Sequence, residues 1–393
     1  MTNLKHFFIL GATGSIGQQA IEVLRTLDNI KVEAISFGSN IESAKKIIDE
    51  FQPRLVCAGS LELADEIKKL YPNIITTYGD KGLSEVSCFD NKLDNNDCYV
   101  LNAVVGMVGL QSTIDAIKME RTILLANKET LVVGGELIEK LKKDYDVKLI
   151  PIDSEHSAIM QCLHGYENKD VDKLIITASG GAFRNLKREE LEDVSIDDAL
   201  KHPNWNMGKK ITVDCATMVN KGLEVMEAHY LFGFDYDHID TILHYESIVH
   251  SLIQFKDGSI LAQMAKPDMR LPIQYAITYP NRCEFKLDKA LDLTASNISF
   301  KNMDFDRYPM LALAYAVGKM GGLMPTVYNS SNEAAVKLFI EKKIKFLDIE
   351  KIITNTCNKY KKDNKFDYEL SDVLSLDKKI KEKILNNYQD LLK

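Results

Sequence analysis

Through residue 150 the chain alternates short apolar runs with amphipathic stretches. His6–Leu10, Lys31–Phe37, Leu55–Ala58, Ile74–Thr76, Cys98–Ala103, Thr122–Ala126 and Lys148–Ile152 have the length and apolar density of strands. Gln18–Leu27 and Ile41–Phe51 carry helical spacing. Strands alternating with helices predict βαβ units and a parallel sheet covered on both faces. Further on, Lys173–Ala178 and Lys210–Asp214 read as strands, followed by Thr241–His244, Val249–Phe255 and Ser259–Met264. Lys256-Asp-Gly-Ser259 supplies a hairpin turn between the last two. The polar, charged stretch 183–210 has the length of a lid. Pro280–Pro309 has few periodic runs and reads as a linker, and from Met310 onward every pattern is helical.

With 393 residues, two or three domains are expected. Lysine and arginine total 49 against 57 acids, a net charge of -8. That balance argues against a nucleic-acid binder, whose phosphate contacts need a basic surface, but leaves room for a small anionic ligand. No apolar stretch approaches the ~18–20 residues needed to span a bilayer, so no membrane partner is expected. The apolar run Phe7–Leu10 is shorter than a secretory core and leads straight into glycines, which makes it a first strand. The seven cysteines are irregularly spaced without a C-x-x-C, which predicts reduced thiols and a cytoplasmic location.

Gly11-Ala-Thr-Gly14-Ser-Ile-Gly17 follows the first strand and opens a helix. Glycines there permit a tight turn and close backbone approach, and a helix N-terminus offers unpaired N–H groups to a pyrophosphate. The second strand ends Ser36-Phe-Gly-Ser-Asn40 without an acid for ribose hydroxyls. Ser39 and Asn40 can donate to a 2′-phosphate instead, which favours NADP over NAD. Asp153 and Glu155 follow another strand, and two nearby carboxylates suit Mg²⁺ or Mn²⁺, although such a pair alone also serves as a helix cap. Asn220 and Lys221 suit phosphate oxygens and Glu224 suits a metal. Ser179-Gly-Gly181 is a small-residue turn fit for phosphate, and Lys128 lies just after a strand, at the edge where such sheets bind ligands.

Taken in order, Gly11–Gly17, Ala126-Asn-Lys-Glu129, Pro151-Ile-Asp-Ser-Glu-His156, His202-Pro-Asn-Trp-Asn-Met-Gly208, Ala216–Glu224, Pro267-Asp-Met-Arg270 and Asn329–Glu333 closely resemble the 1-deoxy-D-xylulose 5-phosphate reductoisomerase family along the whole chain. The resemblance implies an α/β protein. It would have an N-terminal Rossmann-like NADP-binding domain (1–150), a central α/β catalytic and metal-binding domain (151–285, lid about 183–210), a linker (286–309) and a C-terminal all-helical domain (310–393). It implies conversion of 1-deoxy-D-xylulose 5-phosphate to 2-C-methyl-D-erythritol 4-phosphate, in non-mevalonate isoprenoid synthesis, by a homodimer using NADPH and Mg²⁺ or Mn²⁺. A retro-aldol cleavage and re-addition would give a branched aldehyde, which NADPH then reduces.

By the same resemblance Asp153, Glu155 and Glu224 are the metal ligands, and with Lys128 they form the catalytic set. Lys128, Ser154, Glu155, Ser179, His202, Trp205, Cys215, Asn220, Lys221 and Glu224 are expected at the phosphorylated substrate, with Met207 in the lid. Gly11, Thr13, Gly14, Ser15, Ile16, Gly38, Ser39, Asn40, Ala103, Asn127, Glu129, Gly208 and Met269 are the expected cofactor contacts. Two positions depart from the family pattern. Cys215 stands where serine is common, so phosphate binding should lean on Ser179, Asn220 and Lys221; Ser39 stands where some relatives carry a basic residue. A competing reading, a semialdehyde-type dehydrogenase, would need an activated cysteine, for which Cys162 and Cys215 are the central candidates.

Overall fold

The apolar runs of the first 151 residues become one seven-stranded parallel sheet in the computed structural model, which describes residues 4–90, 92–205, 207–285 and 290–392. Asn206 of the lid segment and residues 286–289 of the expected linker lie outside the described residues. The strands are β1 (Lys5–Leu10), β2 (Ile30–Phe37), β3 (Leu55–Ala58), β4 (Ile75–Tyr78), β5 (Cys98–Asn102), β6 (Thr122–Leu125) and β7 (Leu149–Pro151). Their order is β4-β3-β2-β1-β5-β6-β7. Phe7, Phe8, Ile9 and Leu10 of β1 are fully buried. A central strand of a parallel sheet is covered on both faces, which is why its sequence is a continuous apolar run.

Helices at Ser15–Leu24, Ile41–Phe51, Leu61–Leu70, Gly79–Cys88, Gly109–Lys118 and Lys128–Asp144 connect the strands. Several start on side-chain caps: Asn40 Oδ1 accepts from Ser43 N (3.1 Å), Ser60 Oγ from Leu63 N (3.4 Å) and Asn127 Oδ1 from Thr130 N (2.9 Å). Strand order reverses direction between β1 and β5, the point where open α/β sheets bind ligands.

The chain groups into two compact units. The first holds residues 4–130, 137–157 and 268–285, so a segment distant in sequence rejoins the N-terminal sheet. That segment forms the helix Arg270–Thr278, packed on Ser15–Leu24, with Arg270 Nη1 standing 3.7 Å from Glu22.

The second unit holds 131–136, 158–267 and 290–392. Its sheet runs β11-β10-β8-β9-β12, from β8 (Val171–Ala178), β9 (Ile239–Leu243), β10 (Val249–Phe255), β11 (Ile260–Met264) and β12 (Lys301–Asn302). Only β8 and β9 pair in parallel. The predicted hairpin joins β10 and β11, with Gly258 at φ +87° and Asp257 Oδ1 accepting from Ser259 N. Ile175, Val249 and Leu252 form a buried apolar cluster, with Ile242 and Met264 packed against it. Helices Pro309–Met320, Met324–Ile340, Phe346–Tyr360 and Leu370–Asn387 follow, and no strand occurs after Asn302 among the described residues. A Cβ on Gly222 would stand 2.4 Å from Ala314 Cβ, so glycine is what lets Val219–Phe232 approach the first of these helices.

Two expectations are corrected. Lys210–Asp214 is not a strand but lies in the helix Lys209–Thr217. Ile211, Thr212 and Val213 imitate a β-branched strand, but burial on that helix and the cap position of Gly208 override local propensity. The described part of Pro280–Pro309 is not structureless throughout: Lys301–Asn302 pairs with β9, too short a strand to show periodicity.

Near the start of the first sheet, Glu33 is buried within β2 and accepts from His6 Nδ1 and Arg54 Nε, both at 2.7 Å. Burial alone would raise its pKa, but the hydrogen bonds from His6 and Arg54 and the charges of Arg54 and Lys31 outweigh it and hold the carboxyl below its ordinary 4.5. A carboxyl depressed in the folded state contributes stability above its unfolded pKa, and loses it as pH falls through the folded value. Glu33→Gln should therefore cost about 1.5–3 kcal/mol near neutral pH, the range for hydrogen bonds to a charged group. Denaturant melts should show the gap from wild type shrinking below pH 4.5. A gap that stays constant into that acid range would contradict this role.

Candidate functional site

Parallel strands put all their carboxyl ends on one edge of the sheet, and the first unit's expected site residues, Met269 apart, follow those ends. Gly11 continues β1 at φ +82°, a conformation natural to glycine. A Cβ there would stand 2.8 Å from the Ala103 carbonyl oxygen that follows β5. Gly17 is equally constrained, since its Cβ would stand 2.2 Å from Gly11 O. Gly11 N donates to Ser36 Oγ (2.9 Å), tying the glycine turn to the end of β2. Gly14 is the cap of Ser15–Leu24 and contributes no side-chain hydrogen bond, so Ser15, Ile16 and Gly17 begin a helix open to an anion.

Thr13, Gly14, Ser15 and Ile16 lie in this turn; Gly38, Ser39 and Asn40 follow β2 and are exposed. Nothing lies within 4 Å of the Cβ that Gly38 lacks. Asn40 spends its carbonyl oxygen on its helix cap, so donation is the role its side-chain amide keeps for a ligand. Asn127 is used heavily by the fold itself. Its Oδ1 accepts from Thr130, and its Nδ2 donates to Val104 O and Gly106 O, each at 2.7 Å. Glu129 is buried in the next turn, and Met269 immediately precedes the helix Arg270–Thr278.

After β6 and β7 comes a charged cluster. Lys128 Nζ stands 2.7 Å from Asp153 Oδ2, and His156 Nδ1 stands 3.3 Å from Asp153 Oδ1. Glu155 N donates to Asp153 Oδ1 (3.3 Å), so the capping role of this acid is real as well. Ser154 Oγ donates to Glu155 Oε2 at 2.6 Å. Burial would push the Asp153 carboxyl up, but the positive charge of Lys128 and the hydrogen bond from His156 prevail and hold it well below the usual range. Two carboxyl groups at the start of one helix, with Asp153 held well below its usual pKa, form a hard-oxygen donor set that fits Mg²⁺ or Mn²⁺.

The second unit carries the other expected residues. Helix Lys209–Thr217 turns at Met218 (φ +63°) into Val219–Phe232. The first two turns of that second helix present Asn220, Lys221 and Glu224, all buried. Spacings of four and three residues bring Asn220 Nδ2 to one Glu224 oxygen and Lys221 Nζ to the other. Asp214 anchors the preceding helix, accepting from Asn332 Nδ2 (2.8 Å) and Lys210 Nζ (3.0 Å).

Ser179-Gly-Gly181 follows β8. A Cβ on Gly181, at φ +68°, would stand 2.6 Å from Cys215 O, so the turn lies directly against the Cys215 backbone. His202 Nδ1 accepts from Asn204 N (3.2 Å) and Trp205 N (3.0 Å), which places its remaining proton on Nε2, 3.0 Å from Ser179 Oγ. Burial, with the nearby Arg184 charge adding to it, pushes His202 down to about 4, so the ring is neutral at physiological pH. Ser179 Oγ also accepts from Gly181 N (3.3 Å), leaving its own proton to donate to an oxyanion. The Trp205 and His250 ring centroids are 6.1 Å apart. Met207 and Gly208 continue this segment, which places Gly208 in the second unit.

Sequence reasoning missed His156 as a partner of Asp153, His250 beside Trp205, and Asn332 beneath Asp214. Of these only His156 had a visible signal, its i+3 spacing from Asp153. The competing nucleophile chemistry finds no support at Cys162, whose buried thiol is pushed up to about 11, opposite to an activated thiolate.

A family model described as 1-deoxy-D-xylulose 5-phosphate reductoisomerase matches residues 7–135, and models of the reductoisomerase C-terminal domain match 149–232 and 264–383. The reductoisomerase of Macrococcus caseolyticus is 49% identical, over 90% of this chain and 93% of its own. That of Clostridium tetani is 47% identical over 98% of this chain and 100% of its own. A solved reductoisomerase in complex with NADPH, fosmidomycin and magnesium superposes with a TM-score of 0.90 at 34% identity, covering 98% of this chain and 100% of that one. The Zymomonas mobilis enzyme in complex with NADPH gives 0.88 at 34% identity, covering 97% of this chain and 98% of that one. On the strength of these matches, which run from the glycine turn to the last helices, the chain belongs to the 1-deoxy-D-xylulose 5-phosphate reductoisomerase family.

Proposed function

We propose that this chain converts 1-deoxy-D-xylulose 5-phosphate into 2-C-methyl-D-erythritol 4-phosphate, with NADPH and Mg²⁺ or Mn²⁺, in isoprenoid precursor synthesis. The observation that carries the reading is the pair of acid–lysine clusters, Lys128–Asp153 with Glu155 and Lys221–Glu224 with Asn220, in a chain of this family. Asp153, Glu155 and Glu224 are proposed to hold one divalent metal. When bound, that metal supplies Lewis-acid polarisation of substrate oxygens, and NADPH supplies the hydride. Lys128 would donate to the substrate oxygens nearest the acids, and Ser154 would bind a hydroxyl. Ser179, His202, Cys215, Asn220 and Lys221 would receive the phosphate. Trp205 would cover the substrate and exclude water from the aldehyde.

The cofactor would lie along Gly11–Ile16, Gly38–Asn40, Ala103, Asn127, Glu129 and Met269, with Gly208 reaching it from the lid. The divisions at 1–150, 151–285 and 310–393 are proposed as cofactor, catalytic and helical regions, with the lid about 183–210. Seven free cysteines favour work in the reducing cytoplasm. A homodimer is proposed because β11 is an edge strand exposing Ile260 and Leu261, a surface that invites pairing.

Three measurements test this reading. NADPH oxidation at 340 nm should require both the deoxyxylulose phosphate and Mg²⁺ or Mn²⁺, with kcat/KM at least about tenfold higher for NADPH than NADH. No turnover across metals would sink the assignment, and a ratio near one would refute the NADP preference. Glu224→Gln keeps size but removes a charged ligand, so kcat should fall by about 100-fold or more while the NADPH Kd shifts less than about threefold. Turnover near wild type at saturating Mg²⁺ would remove Glu224 from the metal site. Light scattering should give twice the 44.4 kDa chain mass, and a single-chain mass would refute the dimer.

A further inference from the structure

The side chain of Asn204 is assigned no role toward substrate, cofactor or metal, yet its amide nitrogen is fully engaged. Nδ2 donates to Tyr245 O (2.7 Å) and to Ser247 Oγ (2.6 Å), both on the loop between β9 and β10. That loop is built to stay fixed. His244 is buried within it, with Nε2 accepting from Ile248 N and Val249 N at 3.0 Å each. Its Nδ1 proton goes to Ser299 O at 2.8 Å. Arg184 Nη1 donates to the same Tyr245 carbonyl (2.8 Å), and its guanidinium lies 4.9 Å from the Tyr245 ring centroid. Ser247 holds φ +54°, a left-handed conformation unusual for serine that the surrounding bonds maintain.

Within residues 202–205 the turn is closed by His202 Nδ1, which collects the N–H groups of Asn204 and Trp205. Two things depend on how that turn sits. One is the direction of His202 Nε2 toward Ser179. The other is the position of the Trp205 indole beside His250.

We propose that Asn204 is a positioning residue. Its carboxamide pins the turn to the β9–β10 loop, and so fixes both the Trp205 indole and the tautomer-specific His202–Ser179 contact. The docking itself stands independently of the assigned reaction; its effect on turnover rests on that reading. An amide suits the task because one –NH₂ group satisfies a carbonyl and a hydroxyl at once.

Trp205 is the single tryptophan of the chain, so indole emission, excited selectively beyond the tyrosine band, reports this position alone. In the full-length protein, Asn204→Ala should shift that emission to the red and raise acrylamide quenching about twofold or more, as expected when a docked turn gains solvent access. The KM for the deoxyxylulose phosphate should rise about tenfold, while the KM for NADPH changes less than about twofold. Ser247→Ala removes one of the two acceptors and should move quenching the same way by less. Added to Asn204→Ala it should change nothing further, because the two act through one contact. Unchanged emission and quenching in Asn204→Ala would overturn the proposal, as would an equal rise in both KM values. Should Asn204→Ala not fold, Ser247→Ala carries the same test, and quenching unchanged from wild type would refute it. A wild-type protein inert toward the sugar phosphate, but with the expected fluorescence changes, would sink the assigned reaction and leave the docking intact.

Discussion

A carboxylate can be buried only if another charge or several hydrogen bonds accompany it, and that constraint shapes a charged cluster in each unit. In the first unit Asp153 is ionised because Lys128 and His156 stand against its two oxygens. In the second, Glu224 receives Asn220 on one oxygen and Lys221 on the other. Each acid is supported by residues at helical spacing or just beyond a neighbouring strand. Backbone geometry alone therefore delivers each carboxyl together with a cationic partner. The same lysines that make the acids tolerable when buried are cations suited to an anionic substrate. The arrangement makes structural and chemical demands on the same side chains.

The parallel sheet does the remaining placement. All of its strands end on one edge, so the glycine turn after β1, the open residues after β2, and the charged residues after β6 and β7 line up along it without any long-range coding in the sequence. The reversal of strand order between β1 and β5 leaves the Gly11 and Ala103 turns facing each other, so closely that a side chain at Gly11 would strike the Ala103 carbonyl. The glycine is demanded there by packing between neighbouring turns as much as by any ligand.

This explains why so much was legible in the sequence. Local rules govern the strands of the first unit, the hairpin at Asp257-Gly258 and the helical tail, and each emerged within a few residues of its expected bounds. Residues proposed for function that lie in strand-end or helix-start words, such as Asp153, Lys128 and Glu224, stand out in the sequence for the same reason. What stayed hidden was set by contacts between distant segments. Ile211-Thr-Val213 looks like a strand but is held in a helix through Asp214, whose partner Asn332 lies 118 residues away. The helix Arg270–Thr278 returns to the N-terminal sheet, and no periodicity announces a return. Asn127 shows the opposite error of emphasis. Its four side-chain hydrogen bonds make it a keystone of the turn before Lys128, a role that its place in a recognisable word did not reveal.

The histidines show why side-chain chemistry has to be read after the fold. His202 and His244 each use one ring nitrogen to collect two backbone N–H groups and the other to donate. A charged ring has no acceptor nitrogen, so either loop would lose both bonds on protonation. At His202, burial disfavours the charge and Arg184 adds to that, so the neutral form is the one that persists. Its single proton is then committed to Ser179 Oγ, which also accepts from Gly181 N. With those two donors occupying its lone pairs, the Ser179 hydroxyl can only give its own proton away. Donation therefore runs in one direction, from Trp205 N through the His202 ring to Ser179 Oγ. It ends at the glycine turn after β8, where an oxyanion is the natural acceptor. Two backbone amides, by choosing a tautomer, thus decide the polarity of a hydroxyl more than twenty residues away in sequence.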